Sequence, residues 1–127
     1  FPRELSGNCI GTVVVTQDMA ERKNIMFAAS STVISLAGGV GTLDELFEAI
    51  TLFQLNALRH KICLMNTCGY YEPLLALLQK QVEEGFVDKS VFDYLYVHNG
   101  KPEDVLEGLE KFPLSSAVAP LKWKKDE

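Results

Sequence analysis

The sequence predicts an α/β fold in which a parallel sheet carries helices on both faces. Short β-branched or apolar runs recur at residues 11–16, 32–37, 61–66 and 95–97, and stretches of helical apolar spacing separate them. The second run passes through the closely spaced glycines Gly38, Gly39 and Gly41 directly into a helix start. A chain of 127 residues with 47% hydrophobic and 23% charged residues has material for one core, and strand–helix alternation on that scale builds one layered sheet.

Residues 1–7 read as a loop containing Pro2, Arg3 and Glu4. Gly11 to Thr16 follow with Thr12, Val13, Val14 and Val15, the composition of a strand buried on both faces. Asp18 then opens a helix reaching about Ser30, with Glu21 three residues on as its capping-box partner. Arg22 and Lys23 fall near its first turn, where cations oppose the helix dipole. Either an anionic ligand or carboxylate compensates them, or they form a solvated pair. Ile25, Met26 and Ala29 supply the apolar side.

After the strand at 32–37, a helix is expected from Thr42 to about Ala57. Glycines at 38, 39 and 41 permit positive φ and close ligand approach, and amides at a helix start can hold a phosphate beside the Thr42 hydroxyl. A tight connection with nothing bound fits the same residues. Glu45 has two readings as well, because Thr42 and Glu45 also stand in capping-box spacing. Leu43, Leu46, Phe47, Ile50, Phe53 and Ala57 trace one apolar face, and Ala49, Leu52 and Leu55 extend it to other sides. Such a helix needs cover beyond the sheet, so a homodimer is expected. Thr51 reads most simply as a helix hydroxyl bonded to its own backbone.

Residues 61–66 form the third strand and 67–69 the turn after it. A helix from Tyr71 to Glu84 packs Leu74, Leu75, Leu77, Leu78 and Val82, with Pro73 in its first turn and Gly85 as its stop. Residues 86–94 read as a connection with one helical turn, 95–97 as the fourth strand, and 102–112 as a last helix with Val105, Leu106 and Leu109 inward. The domain is expected over 1–112, and residues 113–127 lack periodicity and form a tail.

A formal net charge of −5 argues against broad nucleic-acid or acidic-membrane binding, while leaving room for a local anion site. Cys9, Cys63 and Cys68 show no paired metal spacing, and His60 and His98 are the only histidines. No apolar run approaches a membrane span and no secretory leader is recognisable. Reduced thiols and a cytoplasmic location are therefore expected.

Together, the run from Met19 to Lys23 (MAERK) and the run from Ala37 to Glu45 (AGGVGTLDE) resemble the paired signatures of the Lonely Guy family. Those proteins are cytokinin riboside 5′-monophosphate phosphoribohydrolases, often labelled lysine decarboxylases. Pro2-Arg3-Glu4, Gly69-Tyr70-Tyr71 and the run from Val82 to Phe86 also resemble family segments, so the likeness spans about residues 1–112. Two departures are visible: Ala20 stands at the family's histidine and Ala37 at its proline.

The resemblance implies a Rossmann-like sheet whose first two strand–helix units would precede Phe1. It implies hydrolysis of the N-glycosidic bond of an adenosine 5′-monophosphate, N6-modified, to free base and ribose 5-phosphate. Glu45 would be the carboxylate that stabilises positive charge developing on the ribose and orients water. Arg22 would hold substrate or Glu45, and Lys23 would add charge. Gly39, Val40, Gly41 and Thr42 would bind the 5′-phosphate, with Leu43 and Asp44 completing that segment. Glu4 and Thr51 would line the site, Glu4 on ribose hydroxyls. No metal or organic cofactor is implied. A nucleotide-binding sensor or carrier domain is the rival, and a pyridoxal-phosphate decarboxylase a third reading.

Overall fold

The computed structural model describes residues 11–114, in the order α1 (Met19–Ala28), β1 (Thr32–Ser35), α2 (Val40–Gln54), β2 (Lys61–Met65), α3 (Glu72–Glu83), α4 (Val91–Tyr94), β3 (Leu95–His98) and α5 (Val105–Lys111). The strands form one parallel sheet in the order β1-β2-β3. Register pairs Ile34 with Cys63 and Cys63 with Tyr96. Parallel neighbours need crossovers, and α2 and the α3–α4 segment supply them.

Alternation along the strands decides which helix lies on which face. Ile62 and Leu64 of β2 and Leu95 of β3 point into the main core, where they meet Leu46, Ala49, Ile50 and Phe53 of α2, Leu78 of α3 and Val91 and Tyr94 of α4. Phe53 stacks on Tyr94 with ring centroids 4.2 Å apart. Tyr96, one residue out of phase, faces the other side and packs on Phe112 just after α5. Helix α5 sits close there because residue 108 is glycine: a Cβ would lie 2.0 Å from the Tyr96 hydroxyl oxygen.

Helix ends follow local chemistry. Asn56, at φ 58, closes α2 with Asn56 N–H on Phe53 C=O and Ala57 N–H on Leu52 C=O, so the helix stops at Gln54 and leaves Ala57 exposed outside it. Gly85, at φ 82, closes α3 by the same pair of bonds, as its sequence position led us to expect. The Lys61 ammonium, 2.6 Å from Leu109 C=O, caps α5.

The strand expected at 11–16 does not form. Val13, Val14 and Val15 are 49, 58 and 74% exposed, and the sheet ends at β1. β-branched residues favour a strand where a paired neighbour and a packed face receive them, and among the described residues none lies alongside. Two expected core positions also turn outward. Leu77 and Leu106 are exposed, because Leu78 in α3 and Leu109 in α5 take the inward direction and each helix presents only one stripe to the sheet.

Candidate functional site

Helix α2 begins earlier than its sequence suggested. Gly39 is the N-cap, at φ −100 and ψ −153, with no side-chain capping bond, so Thr42 and Glu45 form no capping box. The first bond of the helix runs from Leu43 N–H to Gly39 C=O, 3.2 Å. The amides of Val40, Gly41 and Thr42 precede it and point out of the positive end of the dipole.

The glycines here are not needed for positive φ, which among the described glycines occurs only at Gly11, Gly69 and Gly85. Gly38 is needed for space, since a Cβ would lie 2.3 Å from Thr42 Oγ1. Over Gly39 and Gly41 a Cβ would meet nothing within 4 Å, so open space stands above those backbone units.

Helix α1 brings the cations. Asp18 caps it, its Oδ1 accepting from Glu21 N–H at 2.8 Å, while the Glu21 carboxylate accepts from Gln17 N–H at 3.1 Å. Lys23 crosses to α2, with Nζ 3.0 Å from Glu48 Oε2 and 3.2 Å from Asp44 Oδ2. Hydrogen bonding to Glu48, then to Asp44, raises the Lys23 pKa and favours the ammonium. At the other end of α1, His60 Nε2 lies 2.8 Å from Phe27 C=O. No side chain of α1 is buried among the described residues.

Between α1, β1 and α2 lies a cleft of about 530 Å³, lined by Met26, Phe27 and Ala29 of the α1 segment, Val33 and Ser35 of β1, and Thr42 and Glu45 of α2. Thr42 and Glu45, three apart, share one helix face. Arg22, half-buried, precedes Met26 and Ala29 at helical spacing, which puts it on the cleft-lining face of α1 one turn nearer the helix start.

The expected site residues thus separate. Thr42 and Glu45 line the cleft, and Gly39, Val40 and Gly41 form the exposed cap beside it. Asp44 turns to Lys23, and Leu43 packs against the core. Thr51 is exposed and does not line the cleft. Glu4 lies outside the described residues, as do Cys9 and the tail from residue 115.

Sequence reasoning missed three residues that shape this corner. Glu48 is the second partner of Lys23, one turn beyond Asp44, and that spacing was the available signal. The Tyr70 hydroxyl donates to the Gly38 carbonyl and the Tyr71 hydroxyl to the Leu36 carbonyl. Burial raises the Tyr71 pKa, with the Tyr70 charge adding to it, which keeps that hydroxyl protonated as a donor.

Against known proteins, residues 1–109 match the model of a family described as possible lysine decarboxylase. A rice protein (Oryza sativa subsp. japonica) named a probable cytokinin riboside 5′-monophosphate phosphoribohydrolase is 38% identical over 129 aligned residues, covering 100% of this chain and 52% of its own length. Two Arabidopsis thaliana proteins named cytokinin riboside 5′-monophosphate phosphoribohydrolase are 37 and 38% identical, covering 100 and 99% of this chain and 60 and 59% of their own lengths. The chain therefore spans between half and three-fifths of these relatives.

Proposed function

The chain belongs to the possible lysine decarboxylase family, and from that premise we propose that the protein hydrolyses the N-glycosidic bond of an N6-modified adenosine 5′-monophosphate, releasing free base and ribose 5-phosphate. The observation that carries this reading is that Glu45 and Thr42 face one cleft beside the uncapped amide end of α2. The names of the relatives favour the same chemistry.

In this reading the first-turn amides from Gly39 to Thr42 hold the 5′-phosphate, and the ribose lies over Glu45. Cleavage of the C1′–N bond puts positive charge on the sugar while the base leaves with the bonding pair. The Glu45 carboxylate stabilises that charge and accepts the proton of the water that adds at C1′. Loss of that proton to solvent, with uptake of one by the departing base, restores the carboxylate and completes the free base. Arg22 grips substrate oxygens through its planar fork, and Lys23 acts indirectly, by holding α1 against α2. Glu4 is assigned to the ribose hydroxyls in the same proposal, in a domain of residues 1–112 followed by a tail at 113–127. Thr51, lying off the cleft, has a supporting place at most.

Exposed Met19 and Ile25 on α1 and Leu55 after α2 support a homodimer that covers these helices. Among the described residues no helix is long and apolar enough to cross a membrane, and the proposed location is the cytoplasm. The decarboxylase label fits less well. A Schiff base needs a free amine, yet among the described residues no lysine lines the cleft, and Lys23, on its flank, has its pKa raised by Glu48 and Asp44.

The test is release of base from adenosine 5′-monophosphate and its N6-alkylated analogues by the full-length protein, against lysine as a control. Free base and ribose 5-phosphate in equal amounts are expected. Carbon dioxide from lysine without base release would overturn the proposal.

A further inference from the structure

Behind the glycine turn, the carboxyl ends of all three strands are joined by one run of hydrogen bonds. The amide N–H of Asn66, just past β2, donates to His98 C=O at the end of β3, 3.0 Å. Its side-chain amide donates to Glu72 Oε2 at 2.7 Å and to Asn99 Oδ1 at 2.8 Å. Its Oδ1 accepts from Tyr71 N–H at 2.7 Å. Asn66 is 5% exposed and Tyr71 1%, so both are fixed by the core. From that base the Tyr71 hydroxyl reaches Leu36 C=O just after β1, and Tyr70, packed edge-on against Tyr71 at 5.1 Å, reaches Gly38 C=O.

We propose that Tyr70 and Tyr71 are positioning residues that aim the amides of the glycine turn at the anionic end of the substrate. In a trans peptide the C=O and the next residue's N–H lie in one plane and point in opposite directions. Holding the Gly38 carbonyl toward Tyr70 therefore turns the Gly39 N–H away from it, and holding the Leu36 carbonyl toward Tyr71 does the same for Ala37. Gly39 has neither a side-chain cap nor a Cβ to set its orientation, so an external clamp is what defines it. The tyrosines touch no substrate; they act through the backbone.

This inference rests on the reading of the glycine turn as a phosphate site, and its test separates the two. Tyr70→Phe and Tyr71→Phe remove only the hydroxyls. Binding of ribose 5-phosphate is measured by calorimetry on the full-length protein, and KM and kcat are measured for the 5′-monophosphate and for the unphosphorylated nucleoside. Each variant is expected to weaken ribose 5-phosphate binding and raise KM for the monophosphate by roughly three- to tenfold. Nucleoside turnover should be unchanged, a phosphate-selective loss that general loosening would not give. Tyr70 is half-exposed, so its variant folds even if Tyr71→Phe lowers the melting temperature.

Wild-type affinity in folded variants would overturn the inference, as would an unmutated protein that binds no ribose 5-phosphate. An unmutated protein that binds it, with both variants weakened, but releases no base would overturn the hydrolase reading and leave the tyrosine clamp standing.

Discussion

Lys23 of α1 and Glu48 of α2 lie 3.0 Å apart, and Asp44 one turn earlier on α2 shares the same ammonium at 3.2 Å. Phe27 of α1 packs against the edge of the core at the far end of the helix, and the Lys23 contact, one turn from the helix start, sets how the Arg22 face stands against Glu45.

Replacing Lys23 by Met is expected to lower kcat/KM for base release about tenfold or more, because small misplacements of a positioning helix cost that much. Steady-state assays check it; unchanged kinetics would mean that α1 is held by other contacts. The pH dependence has a defined sign. A raised lysine pKa makes the contact complete below the ordinary 10.5 and lost as pH rises through the higher folded value. Circular dichroism of α1 docking should therefore not change with pH between neutral and 10.5, and should weaken above it in the parent protein but not in Lys23→Met.

Glu45→Gln keeps the shape of the side chain and removes the charge. Base release is expected to fall by roughly 10²- to 10⁴-fold while ribose 5-phosphate binding persists. Arg22→Ala should also lose activity; near-normal turnover there would remove the guanidinium from the mechanism.

Two glycines should respond in opposite ways. Gly38→Ala drives a methyl against Thr42 Oγ1 and is expected to destabilise the fold by about 1–3 kcal/mol, visible in the melting temperature. Gly41→Ala meets nothing within 4 Å and should leave stability intact, yet it fills the space above the amides and should weaken ribose 5-phosphate binding. Equal binding by Gly41→Ala would argue against an anion at this turn.

Thiol chemistry checks the sheet. Cys63 is fully buried in β2 and its pKa is pushed up to about 12 by desolvation, whereas Cys68 is exposed. Alkylation at pH 8 followed by peptide mapping should label Cys68 and spare Cys63 until unfolding. Because the folded thiol holds its proton to higher pH than the unfolded one, Cys63 should subtract stability as pH rises from about 9 toward 12.

Strand–helix alternation was legible because Ile62, Leu64 and the α2 face obey simple periods that the core then uses. Residues 11–16 misled for a physical reason: a valine run states a preference, and pairing decides it. The start of α2 was misplaced because a capping hydroxyl is a louder signal than a glycine N-cap. In the site, Thr42 and Glu45 were readable from local spacing. The link from Lys23 to Glu48 and the reach of Tyr70 and Tyr71 to Gly38 and Leu36 join residues 25 to 35 positions apart, and no local pattern announces them.

The unequal anchoring of the two helices has a consequence for traffic through the cleft. The wall bearing Glu45 belongs to the rigid nucleus of the molecule, while the wall bearing Arg22 is fastened by polar ties at its two ends and by the partly buried Phe27. Hydrogen exchange should accordingly find the α1 amides opening at a lower free energy than those of α2. Entry and exit of a nucleotide would then require only that one wall swing out, leaving the sheet and the helices behind it undisturbed.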